Sequence, residues 1–140
     1  MAKNYDPKQV SIIVGGHIVE GYADGSFIKV ARNNDMWATK VGASGEGARA
    51  KSNDKSGTFE ITLMQSSKSN SILAGFAIAD ENNNGGQVPV LMQDNNGDTI
   101  ASCSNGWVKK MPDLEYGKEL SDRVWVIESD NVFMKPGGLV

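Results

Sequence analysis

One cysteine, one histidine and four prolines among 140 residues set the first limits on this chain. A lone Cys103 excludes an intramolecular disulfide and an all-cysteine metal site, so the fold stands on packing. A lone His17 is the one base available to a Ser/His/Asp or Cys/His arrangement. It falls in a strand pattern beside a Gly-Gly turn, where a polar strand residue is the better reading. Cationic excess is missing as well. The net charge of -3, from 14 Lys and Arg against 17 Asp and Glu, disfavours a protein that sequesters nucleic acid by neutralising phosphates. No apolar run is long enough for a signal peptide or a membrane helix, so no membrane anchor is expected and folding in a cytoplasm is the simplest expectation.

What remains is a chain sized for one domain and rich in Gly, Asn, Ser and Asp, the composition of short strands joined by turns. Val10, Ile12 and Val14, then Gly15-Gly16, then His17 to Val19 predict an opening hairpin. Asp24-Gly25 predicts a turn, Phe27 to Val30 a third strand, and Met36 to Val41 a further extended stretch. Gly42, Gly45 and Gly47 break the pattern before Ala48 to Lys51, which predicts a long flexible excursion. Past the polar turn at residues 53–57, Phe59, Ile61 and Leu63 alternate with Thr58, Glu60 and Thr62, so one face of that strand meets the core. Ser67 to Asn70 can cap a helix carrying Ile72, Leu73, Phe76 and Ala79 or Asp80 on one face, with Asn82 to Gly86 as its stop. Gly75 inside it predicts a close approach to the sheet. Val88 to Gln93 and Thr99 to Cys103 flank Asn96-Gly97, a second hairpin. Trp107-Val108 and Val124 to Ile127 complete the strands, with Pro112 to Gly117 as a loop.

Sites for chemistry are weak. Cys103 between Ser102 and Ser104 reads as a packed residue. The glycine run 42–47 lacks the following helix that a phosphate cradle needs. Asp94, Asn96 and Asp98 resemble part of a calcium loop, but the glycine is misplaced and the twelfth-position glutamate is missing, so a turn is the better reading. Five scattered glutamates offer no arguable carboxylate pair. Trp37, Trp107 and Trp125 would make a sugar-stacking platform if exposed together, the mark of a monomeric carbohydrate-binding β-sandwich module; core or interface anchors are the alternative. No catalytic residue, metal or cofactor is expected.

The order of residue blocks carries more. Tyr5-Asp6-Pro7-Lys8-Gln9-Val10, then residues 21–28, 41–46 and 52–67 with Ser69-Asn70 after them, resemble the contractile-phage tail tube proteins, a fold shared with type VI secretion tubes and tail-like bacteriocins. Tyr22 stands where phenylalanine is more usual, and Ser71 to Gly75 is less polar than the family's helix. The resemblance implies a mainly β fold, a β-sandwich or partly rolled barrel with one flanking α-helix and a long glycine-rich loop. It also implies a structural protein, not an enzyme: hexameric rings stacked into a hollow tube inside a virion, assembled in the host cytoplasm. Its partners would be the tail sheath, tape-measure, baseplate and tail terminator proteins, with DNA passing through. A bacteriocin or secretion tube shares these features.

Residues 1–140 are then one tube domain with an N-terminal arm at about 1–8, an inter-subunit loop at about 42–57 and a C-terminal arm at about 131–140. The expected inter-subunit residues are Gly42, Ser44, Gly45, Glu46, Gly47, Arg49 and Lys51. Thr58, Glu60 and Thr62 are the expected lumen face, and Tyr5, Asp6, Lys135 and Pro136 the inter-ring arms.

Overall fold

A computed structural model describes residues 2–139; Met1 and Val140, the ends of the two expected arms, lie outside the described residues. After a 3-10 turn at Pro7–Gln9, the chain runs through β1 (Val10–Val14), β2 (His17–Ile18), β3 (Ile28–Arg32), β4 (Trp37–Val41), β5 (Gly47–Lys51) and β6 (Gly57–Met64). Helix α1 (Ser69–Asn83) follows, then β7 (Val88–Asp94), β8 (Ile100–Lys110), β9 (Asp122–Ser129) and β10 (Phe133–Lys135). The large sheet is antiparallel in the order β2-β1-β7-β8-β9-β6-β3, with β10 added beside β8; β4 and β5 form a separate two-stranded ribbon.

This sheet rolls on itself. Ile12 and Val14 of β1 and Phe59, Ile61 and Leu63 of β6 have three strands between them in the order, yet they share one core with Val90, Cys103, Trp125 and Ile127. The roll stops short of closure. Residues 19–23 cross between its two ends, with the Val19 amide on the Ile12 carbonyl, the Ala23 amide on Thr62 and the Met64 amide on Gly21. The β-sandwich or partly rolled barrel implied by the resemblance is thus a rolled, open sheet with one helix. The alternation expected on β6 holds, since Phe59, Ile61 and Leu63 are fully buried. At about 1.5–3 kcal/mol for each such side chain, a one-residue slip that turned this face outward would be prohibitive.

Helix α1 packs against β8, burying Ser69, Leu73 and Ala77. Asn84 ends it in the left-handed conformation at φ 57, its amide bonded to the Asp80 carbonyl. Two expectations change here. Gly75 faces open space, not the sheet, and Ile72 is exposed: the buried stripe runs through Leu73 and Ala77. Lys68 stands at the N-cap without a side-chain bond, and it is Ser67, one residue earlier, whose Oγ accepts the Ser69 amide proton at 3.2 Å. The close approach belongs instead to Gly15, at φ 58, where a Cβ would stand 2.8 Å from the Phe76 ring.

The two strands expected at 99–103 and 107–108 are one. β8 runs unbroken for 11 residues, pairing with β7 and β10 at its start and with β9 at its end, with register shifts against both long neighbours. Gly106 permits this, since a Cβ there would press on Cys103, Ile127 and Val90 at 3.1 Å.

Candidate assembly surface

The expected flexible excursion has regular structure. β4 and β5 pair antiparallel from Trp37 opposite Lys51 to Val41 opposite Gly47. Gly42, Ser44, Gly45 and Glu46 make the turn, closed by the Gly42 amide on the Glu46 carbonyl at 2.8 Å, with Gly45 at φ 85. Gly47, Arg49 and Lys51 lie on β5. Alternation places Trp37, Thr39, Val41, Arg49 and Lys51 on one face and Ala38, Lys40, Ala48 and Ala50 on the other. Arg49 caps the Trp37 ring at 3.9 Å. Glycine spacing suggested flexibility because it hid the partner strand: Ala48 to Lys51 has little β propensity of its own and is held by cross-strand pairing.

Every residue of both ribbon strands is exposed. The other end of the expected loop, 53–57, belongs instead to the body. The Val132 amide bonds to the Lys55 carbonyl at 2.8 Å, and Gly57 begins β6. Asp54 accepts the Ser56 amide proton at 2.9 Å and a bond from the Asn34 amide; bonding from the Ser56 side chain first, then the Ser56 amide and Asn34, holds its carboxyl below the usual range.

Both expected arms are docked in the single chain. Asp6 exchanges two bonds with the Asn96 side chain, at 2.9 and 3.0 Å, and Tyr5 stays exposed. β10 pairs with β8, putting Lys135 opposite Ile100 and its Nζ 3.5 Å from Asp98, while exposed Pro136 leads to Gly137, whose amide bonds to Thr99. The reason is the edge of β8: where β9 no longer pairs, the C-terminal strand covers it.

Thr58, Glu60 and Thr62 share the half-buried outward face of β6. Opposite them lie Ala31 and Lys29 on β3 and Glu128, Val126 and Val124 on β9. Lys109 bridges to Glu128 at 3.2 Å, so the face is mixed and close to charge-balanced.

The residues weighed for chemistry serve the fold. His17 Nε2 lies 2.9 Å from the buried Ser69 Oγ, which also accepts the Glu20 amide proton, tying β2 to the helix start. Cys103 is buried, and desolvation pushes its thiol up, away from a nucleophile. Asp94 accepts two bonds from Asn96, the geometry of the hairpin turn. The tryptophans form no common platform: Trp125 is buried with its indole N–H on Asn70 Oδ1 at 2.9 Å, Trp107 stands on the opposite face of the sheet, and Trp37 is in the ribbon. Asn70 lies in the expected capping stretch and bonds the Met64 and Ser67 carbonyls there, but sequence reasoning missed its bond to Trp125, and it missed buried Arg123, which bonds the Asp113 carbonyl. No local signal marks these two distant contacts, because the partners are set by the fold.

Solved structures with this fold include the tube-terminating cap of the anti-feeding prophage, at TM-score 0.64 and 8% identity over 98% of this chain and 94% of that one. A second is an extracellular contractile injection system, whose PVC sheath-tube complex in the extended state matches at TM-score 0.62 and 9% identity over 94% and 91%. In sequence, Structural protein ORF10 of Pseudomonas phage KPP10 is 25% identical over 142 residues, covering 96% of this chain and 82% of that one. The family model described as bacteriophage PhiTE tail tube protein matches residues 10–137, and the chain therefore belongs to this family of phage tail tube proteins.

Proposed function

We propose that this chain is the repeating unit of the inner tube of a contractile phage tail. Six copies close into a ring, and rings stack into a hollow conduit for the tape-measure protein and DNA. The observation that carries the reading is the exposed β4–β5 ribbon on a tail tube chain. A two-stranded ribbon is marginal alone in water, and its open edges and exposed apolar residues are satisfied by a neighbouring protomer. In this reading Gly42, Ser44, Gly45, Glu46, Gly47, Arg49 and Lys51 are inter-subunit residues, and Tyr5, Asp6, Lys135 and Pro136 form a corner that meets the next ring.

Thr58, Glu60 and Thr62 line the lumen. Their face pairs Lys29 and Lys109 with Glu60 and Glu128, and a lining without net positive charge lets DNA slide. Sheath and tail terminator proteins surround and end the tube, in keeping with the sheath-tube complex and tube-terminating cap whose fold the chain shares, and the baseplate nucleates it. The product is a virion component assembled in the host cytoplasm. Negative-stain microscopy of the purified protein at low and high concentration, with its mass in solution, tests this. Stacked rings or hollow tubes are expected; a compact monomer at every concentration, even with baseplate partners, would overturn it.

A further inference from the structure

The loop between β8 and β9 carries a concentration of exposed apolar surface that the fold does not use. Leu114, Tyr116 and Leu120 are 74%, 72% and 72% exposed, in a segment held from beneath by Arg123, whose guanidinium bonds the Asp113 carbonyl and faces the Tyr116 ring at 5.3 Å. A cluster of this kind on a small domain marks an interface. Residues 111–122 hold Asp113, Glu115, Glu119 and Asp122 against Lys118 alone, while the flanking bases Lys110 and Arg123 are turned to Asp113 and the Tyr116 ring. Asp113, Glu115 and Asp122 line a groove of about 270 Å³ floored by Met111, Val124 and Val126, and Lys110, at 3.8 Å from Asp113, sits at its rim.

The ribbon has the matching character. Residues 37–51 hold Lys40, Arg49 and Lys51 against Glu46 alone, and one face joins Arg49 and Lys51 to Trp37 and Val41. Position separates the two surfaces within one chain. The ribbon leaves the body at the Gly57 end of β6, where Ser129 is the β9 partner; the acidic loop enters β9 at Asp122, opposite Met64 at the other end. At about 3.3 Å per residue, β6 holds the two roughly 23 Å apart. Complementary patches at opposite poles of one molecule join copies head to tail, and such contacts propagate.

We infer that the acidic loop 111–122 is the receptor for the β4–β5 ribbon of a second copy, with Arg49 and Lys51 over Glu115 and Glu119 and the Trp37 face against Leu114, Tyr116 and Leu120. The inference rests on the tube reading and names the surface that accepts its ribbon.

The test is charge exchange. Glu115→Lys with Glu119→Lys, and separately Arg49→Glu with Lys51→Glu, each raise the concentration needed for assembly, read by sedimentation, by at least about tenfold. Mixing the two variants restores the ribbon–loop contact in alternating copies, and combining all four changes in one chain brings assembly back near the wild-type concentration. Matching thermal melts keep loss of folding out of the comparison. As a second measurement, Lys51→Cys and Glu115→Cys proteins are mixed and mildly oxidised, and a disulfide-linked heterodimer is expected. A loop variant that assembles like the wild type, loss without rescue by the combined changes, or no cross-link overturns the inference while wild-type tubes still uphold the tube reading. A wild-type protein that never assembles removes the tube reading itself.

Discussion

The Tyr22 hydroxyl accepts the amide proton of Ile12 at 3.1 Å, just where β2 has ended and that strand edge would be open. Tyr22→Phe leaves a buried donor unpaired and should cost about 1–3 kcal/mol in chemical denaturation. Burial raises both the Tyr22 phenol and the Cys103 thiol above their ordinary values of 10.0 and 9.0. Each group therefore favours folding while protonated. That contribution is complete below the ordinary value and is lost as pH rises through the raised one. The urea midpoint should fall above pH 9.0, and Cys103→Ala should move the onset toward 10.0; an unchanged pH profile in that variant would count against the thiol's part. Asn70→Ala strips the Trp125 indole of its acceptor and the helix start of its tie to the Met64 carbonyl. A loss of about 1–3 kcal/mol is expected, read by the same denaturation.

Among the elements, the β4–β5 ribbon is the one that the body does not need. The Ser52 amide already bonds the Met36 carbonyl at 2.9 Å, so a short turn can replace residues 37–51 without moving the strands at its base. Such a deletion should leave thermal stability within about 0.5 kcal/mol of wild type, as for a surface change, while abolishing assembly. Calorimetry and sedimentation separate the two effects, and normal tubes from the deleted chain would sink the ribbon's proposed role. β10 is the opposite case: its pairing with β8 and the full burial of Val132 just before it make it part of the body.

At the scale of the whole molecule, the rolled sheet divides the chain into an enclosed core and an outward face on which Glu60 stands across from Lys29. Glu60→Lys places two cations together there. If that face lines the tube, DNA should be retained more strongly and ejection slowed, with steeper salt dependence. Ejection kinetics indistinguishable from wild type would move the lumen to another surface. The acidic loop and the basic ribbon at opposite ends of β6 give the molecule the polarity that a head-to-tail assembly requires.

The local order of residues determined much of this. Alternation on β6, the Gly15-Gly16 and Asn96-Gly97 turns and the spacing of Leu73 with Phe76 are short-range patterns whose chemistry acts within a few residues, so they were legible without a structure. The ordered blocks from Tyr5 to Asn70 carried the family as well. Tertiary structure decided what depends on distant partners. It turned the 42–51 excursion into a ribbon by pairing weak strand formers, and it drew the C-terminal segment onto an edge of β8 that no local pattern exposes. It also chose Leu73 and Ala77 over Ile72 for burial, and set acidic and basic segments about 60 residues apart in sequence at opposite poles of one strand. The physical reason is range: turn chemistry and side-chain period are local, whereas edge coverage, helix orientation and the placing of opposite charges at the two ends of β6 arise only when the rolled sheet brings remote strands together.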